Sequence, residues 1–296
     1  MLRSFISLLL LAACLCLPAR AQTEHPSPPR DADPRRDILA ELRERGIEIA
    51  FTGNQIFSTY QLLDLFARHC PSAIDLLTRN VNNPETPEFG VRLIRNCLAA
   101  QGYLQAKLGT AQIESTAGGH KITVPVEEGA LYRIGKIEIE GAKLFTPEQI
   151  GAMINLEKGD IANGEAIYEA LFERLTRAYH DKGYLHYSAD PEPTFHLEPG
   201  AQEGVVDYLV NINEGKCFVL REVQFAGNAT TRDSILRAAL RLRDGKPFSQ
   251  RLLEASVKNL NELNLFEWID QGKDVDYTLD EKRTGVILTI KVREKN

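Results

Sequence analysis

At 296 residues, with 43% hydrophobic and 26% charged side chains, the chain has ordinary globular composition and room for one large domain or two to three small ones. The formal net charge is −6 and no Lys/Arg cluster makes a basic face, which excludes nucleic acid as a partner, because phosphate binding requires such a face. Beyond the first residues no segment approaches 18 apolar residues, so the mature chain is expected to have no transmembrane helix.

The N-terminus reads as an export signal, residues 1–21. Arg3 supplies the positive start, residues 5–17 are an apolar run too short to span a bilayer, and Ala19-Arg20-Ala21 is a small-x-small cleavage site before Gln22. A second reading takes Leu11-Ala12-Ala13-Cys14 as a lipobox that would leave a lipid on Cys14, although Leu15 and Leu17 continue the apolar run where a lipoprotein turns polar. Removal of residues 1–21 leaves 33 basic against 41 acidic side chains, a net charge of −8. Residues 22–45, with Pro26, Pro28, Pro29 and Pro34 among charges, read as a disordered tether.

The remainder repeats itself. Ile49, Phe51 and Gly53 recur as Ile137, Ile139 and Gly141, and again as Val223, Phe225 and Gly227. Apolar residues two apart make a half-buried strand, and the glycine ends it. A helix start follows each time. Ser58 with Gln61, and Thr146 with Gln149, have the spacing of a capping box, and Pro147 suits the first helical position. In the third copy Thr231 is the expected cap, but Ser234 cannot complete a box.

A second helix follows in each copy, carried by Leu93, Ile94 and Leu98, by Leu171, Leu175 and Tyr179, and by Leu253, Val257 and Leu260. Two of these helices end in Gly102-Tyr103 and Gly183-Tyr184, where glycine supplies the left-handed terminal residue. The third has Leu265-Phe266 instead and is expected to stop without that glycine. Strand pairs close the units at 107–114 with 121–127, 187–196 with 205–212, and 275–280 with 284–292. Glu128-Gly129 and Glu214-Gly215 end the first two. The expected fold class is therefore α+β: three tandem β-α-α-β-β units, 46–130, 131–216 and 217–296, each a three-stranded sheet covered by two helices.

This order, the strand-Gly-Asn openings (Gly53-Asn54, Gly227-Asn228), the Gly-Tyr after the second helix and the Glu-Gly close resemble the POTRA domain. That periplasmic module is repeated at the N-terminus of outer-membrane protein assembly factors of the BamA and TamA type. The resemblance covers residues 46–295. It implies a periplasmic, non-enzymatic scaffold whose partners are proteins, either unfolded outer-membrane proteins or a separate barrel or assembly subunit, and it leaves room for outer-membrane association. In the family the array leads into a membrane-embedded barrel. An eight-stranded barrel needs on the order of 100 further residues, so the expectation is an array without its barrel, either free-standing or a truncated assembly factor.

Binding by such an array has a physical route in strand addition, because a sheet edge offers unpaired backbone to an extended segment. The resemblance implies that the first strand of each closing pair is the free edge. Pro191 and Pro193 blunt it in the second copy, whereas Val275, Tyr277 and Leu279 alternate cleanly with Asp276 in the third. These three residues are the candidate partner-binding site. The alternative is an ordinary hairpin strand whose aspartates keep it from sticking. Pro125 is awkward in the central strand of the first copy.

Signals for chemistry are weak. No nucleophile elbow, P-loop, HExxH or paired CxxC occurs, so no catalytic, cofactor or metal residues are assigned. His180, His186 and His196, near Asp181, Asp190 and Glu192, lie on a helix end and a proline-broken strand, a spacing that does not put three ligands on one face. His69 beside Cys70 lacks a third orienting group. In an oxidising compartment Cys70 and Cys97, both in the first copy, are the favoured disulfide; the alternative is buried free thiols. Against the scaffold stands an exported enzyme of unknown reaction on an α+β framework, which fold alone does not exclude.

Overall fold

The structure, a computed structural model, describes residues 38–79, 81, 85–280 and 284–295. The export signal, the lipobox reading at Cys14 and residues 22–37 lie outside the described residues. The last residues of the stretch expected as a tether form a helix, α1 (Ile38–Glu44).

Three sheets follow one another. The first unit runs β1 (Ile47–Thr52), α2 (Thr59–His69), α3 (Pro71–Thr78), α4 (Glu85–Ala100), β2 (Lys107–Leu108), β3 (Gln112–Thr116) and β4 (Gly119–Glu127). The second has β5 (Leu131–Glu140), α5 (Pro147–Ile154), α6 (Gly164–Tyr168), a π turn (Glu169–Arg174), α7 (Leu175–His180), β6 (Ser188–His196) and β7 (Glu203–Asn213). The third has β8 (Val219–Ala226), α8 (Asp233–Ala239), α9 (Gln250–Glu262), α10 (Gln271–Asp274), β9 (Val275–Leu279) and β10 (Gly285–Lys291). In each, the opening strand pairs parallel to the last strand, which is central, and the strand before the last pairs antiparallel on its other side.

Period-two burial makes the central strands. Val206, Tyr208, Val210 and Ile212 of β7 are buried under the helices, as are Val286, Leu288 and Ile290 of β10. Each such side chain contributes about 1.5–3 kcal/mol by leaving water. The helices answer at their own period: Leu171, Leu175 and Tyr179 over the second sheet, Leu253, Val257 and Leu260 over the third. Ser58 and Thr146 make the expected capping boxes, each accepting from the amide three residues on.

The structure departs from expectation in several places. The first unit has an additional helix, α3, and a fourth strand, because its edge is split into β2 and β3. The split falls beside Pro125, whose carbonyl takes the Gly109 amide at 2.9 Å; one extra residue is then accommodated before Gln112 pairs with Thr123. Thr231 does not cap α8. Arg232 occupies the cap position and makes no side-chain cap bond. The third long helix does end on a left-handed residue, Asn264 at φ 56°, in the place of Gly102 (φ 92°) and Gly183 (φ 88°). Asparagine tolerates that region through its short polar side chain.

Candidate functional site

Each unit is closed by one glutamate. Glu128 accepts from the amides of Gln55, Ile56 and Phe57 at 3.0, 3.3 and 3.1 Å. Glu214 accepts from Lys143 and Leu144, both at 2.8 Å, and from the Tyr179 hydroxyl at 3.0 Å. Glu294 accepts from Thr231 at 2.6 Å and from the Thr230 amide and hydroxyl. The carbonyl two residues before each glutamate, on Val126, Ile212 or Val292, lies against Gly53, Gly141 or Gly227, so that a Cβ there would strike it. The opening loop is thus tied to the end of the central strand. Burial pushes the Glu214 carboxyl up, but the amides of Leu144 and Lys143 and the Tyr179 hydroxyl outweigh it and hold the group below its ordinary range. The Thr231 amide foremost brings Glu294 down to about 2. Glu294 is followed by Lys295 rather than glycine, and the Glu-Gly pattern therefore missed it. Its register with Glu214, read from the central strands, is the signal that finds it.

This latch fixes the central strand and leaves the outer strands as edges. The opening edges of the second and third units are bulged: Gly135 and Lys136 stand opposite the single residue Asp207, and Arg221 has no counterpart between Val286 and Ile287. Asp207 holds its bulge by accepting from Lys136 N at 2.8 Å. On β1 the Phe51 amide is already taken by Thr59 Oγ1 at 3.5 Å.

The other edges differ among units. Asp280 N donates to Gly285 O at 2.8 Å, opposite each other in the register that pairs Leu279 with Val286. Backbone groups alternate sides along an antiparallel strand, so Thr278 and Asp276 also turn inward. The amides and carbonyls of Val275, Tyr277 and Leu279 therefore point away from β10. In the second unit Pro191 and Pro193 hold the equivalent places: Pro193 is opposite Tyr208 and Tyr277 opposite Leu288, each partner six residues before its closing glutamate. The ladder of β6 is unbroken through both prolines, so the donors they lack are outward ones. In the first unit the edge is interrupted at Gly109.

Val275 and Leu279 pack partly against the third core, while Tyr277 is 66% exposed. The aspartates around them are paired: Asp274 with Arg293 at 3.1 Å, Asp276 with Lys291 at 2.6 Å and Asp280 with Arg221 at 2.9 Å. Backbone amides, of Asp270 for Asp274 and of Thr284 and Gly285 for Asp280, hold both carboxyls below their usual range.

Cys70 and Cys97 are joined in a disulfide, with Cα atoms 6.2 Å apart, and Cys217 is a free, half-buried thiol. The three histidines do not converge. His180 ends α7, where burial lowers its basicity, the His186 ring packs edge-on to Phe218, and His196 lies 3.1 Å from Asp207 on the far end of β6.

The family model for POTRA, described as surface antigen variable number repeat, matches residues 132–215 and 218–295. The chain belongs to the POTRA family. Among curated proteins it is similar to the outer membrane protein assembly factor BamA of Buchnera aphidicola, 24% identical over 260 residues, covering 83% of this chain and 41% of that protein. The BamA of Neisseria meningitidis is 23% identical over 252 residues, covering 80% of this chain and 31% of that protein. The chain thus spans well under half the length of these relatives. The crystal structure of Haemophilus influenzae BamA POTRA3-5 superimposes with a TM-score of 0.59 at 17% identity, covering 84% of this chain and 95% of that one. That likeness shows the fold. None of the described helices is long and apolar enough to cross a membrane.

Proposed function

We propose that this POTRA array is a non-enzymatic binding and scaffold protein of outer-membrane protein assembly. It works in the periplasm, associated with the outer membrane, and takes extended segments by strand addition along β9. The curated relatives that it resembles are named outer membrane protein assembly factors, which supports the process. One observation carries the site: β9 presents an uninterrupted row of outward backbone groups, on Val275, Tyr277 and Leu279, at the places where β6 carries its two prolines. β6 lacks two donors and the edge of the first unit is broken. Pairing of main chain asks little of client sequence, as suits unfolded outer-membrane proteins or a strand of a separate barrel or assembly subunit.

The test places a photocrosslinking residue at Val275, and in a second protein at Pro191, and presents an unfolded outer-membrane protein. Crosslinks are expected at 275 and not at 191, and Tyr277→Pro should abolish them. Equal labelling at the two positions, or labelling indifferent to Tyr277→Pro, removes the assignment of the site.

A further inference from the structure

Asp181 follows α7 in the second unit, yet it serves a helix of the third. Its Oδ1 accepts from the Arg251 amide at 2.7 Å and from the Ser249 hydroxyl at 3.3 Å, and its Oδ2 lies 3.4 Å from Arg251 Nε. Ser249 is the N-cap of α9 and accepts from Leu252 N at 3.2 Å. The exposed amides that every helix start leaves are therefore divided here between two units. The charge of Asp181 also lies at the positive end of the thirteen-residue α9.

The contacts around it cross the same joint. Phe218 N donates to Gly183 O at 2.8 Å, Phe218 is buried in the third core, and Leu185 packs against that core from the second unit. The first joint repeats the backbone bond, Tyr132 N to Gly102 O at 3.0 Å, and adds Tyr132 OH to Gln105 at 2.7 Å. Among the described residues it shows no counterpart of Asp181. The residue two before Gly102 is Ala100, against Asp181 before Gly183, and α6 is capped by its own Asn163, which accepts from Ala166 N at 2.9 Å.

We propose that Asp181 is a clamp between the second and third units, a helix cap lent across the joint that makes the two turn as one body and sets the direction in which β9 faces. Rotation of the third unit would withdraw the carboxylate from Arg251 and leave its amide without the acceptor. Nothing in this depends on what β9 binds.

The full chain is used for the test, with amide hydrogen exchange and small-angle X-ray scattering on each variant. Asp181→Ala should speed exchange at the start of α9 by about two- to thirtyfold, the range a lost cap produces, and broaden the interatomic distance distribution. Adding Ser249→Asp to Asp181→Ala supplies a charged cap from within the third unit. Exchange should then return to its original rate while the scattering stays broad. A scattering profile for Asp181→Ala that superimposes on the parent, or a double variant that restores both readouts, overturns the clamp. Should Asp181→Ala not fold, Asp181→Asn removes the ion pair while keeping the shape, and the same two readouts must move in the same directions by less; no movement in either overturns the proposal.

Discussion

The Glu294 carboxylate accepts the Thr231 amide at 2.6 Å across 63 residues of sequence, joining the last residues of the central strand to the loop that opens the third unit. Glu128 and Glu214 do the same for the units before it, across 71 to 73 and 70 to 71 residues. A carboxylate suits this place because it accepts several amides at once, and bonds to a charged acceptor are stronger than neutral ones.

Glu128 is buried and satisfies three amides. Glu128→Ala strands all three and is expected to destabilise the first unit by on the order of 2–3 kcal/mol. Glu128→Gln, which keeps one acceptor oxygen, should cost less. Urea unfolding of the full chain, followed by a probe in the first unit, checks both; an unchanged midpoint for the alanine variant contradicts the latch.

Acid should release the third latch. The Glu294 carboxyl titrates at about 2 in the folded chain against an ordinary 4.5, chiefly because of the Thr231 amide. A group depressed on folding stabilises fully above its unfolded value and loses that stabilisation as pH falls through its folded value. The contribution should be complete above about pH 4.5 and fade toward pH 2. Melting temperature against pH for the parent and Glu294→Gln is the measurement: the gap between them should be widest above pH 4.5 and close in strong acid.

Proline is expected to act differently at adjacent positions of β9. Tyr277 turns its amide outward, and Pro193 already occupies the equivalent place in β6, so Tyr277→Pro should leave the third unit folded. Thr278 turns inward to β10, and Thr278→Pro removes a ladder bond, with a loss of several kcal/mol or of folding. Conversely, Pro191→Val with Pro193→Tyr should open a second docking edge on β6. Circular dichroism melts and crosslinking read the three variants; a Tyr277→Pro protein as unstable as Thr278→Pro contradicts the assigned facing.

Asn264 carries a left-handed backbone at φ 56°. Asn264→Gly should be neutral or slightly stabilising, whereas Asn264→Ala should cost about 1 kcal/mol, the strain of a Cβ in that region. Chemical denaturation of the two variants separates them; equal midpoints refute the reading.

The Cys70–Cys97 bond closes a separation of 27 residues in the first unit. Its removal as Cys70→Ala with Cys97→Ala should lower that unit's stability by about 3 kcal/mol on the chain-entropy account. The third unit's midpoint should stay where it was, which a two-probe urea titration resolves.

Much of this protein was written locally. The alternation at Ile137 and Ile139, the Thr146-Gln149 box and the Gly183-Tyr184 stop each lie within a few residues of the structure they specify, and three spaced copies make the α+β module recognisable. Asn264 escaped because asparagine adopts the left-handed region only where the neighbouring turn imposes it. Glu294 escaped because its partners lie more than sixty residues away and no glycine marks it. The split edge at Pro125, the bulges at Gly135 and Arg221, and the outward facing of Tyr277 come from register between strands, and a one-residue slip would reverse them. Propensity, capping and turn chemistry act between near neighbours, and the sequence alone therefore determined which elements exist and in what order. Which backbone groups of an edge strand turn outward, and which unit caps which helix, depends on groups that meet only when distant segments pack, and that the tertiary structure decided.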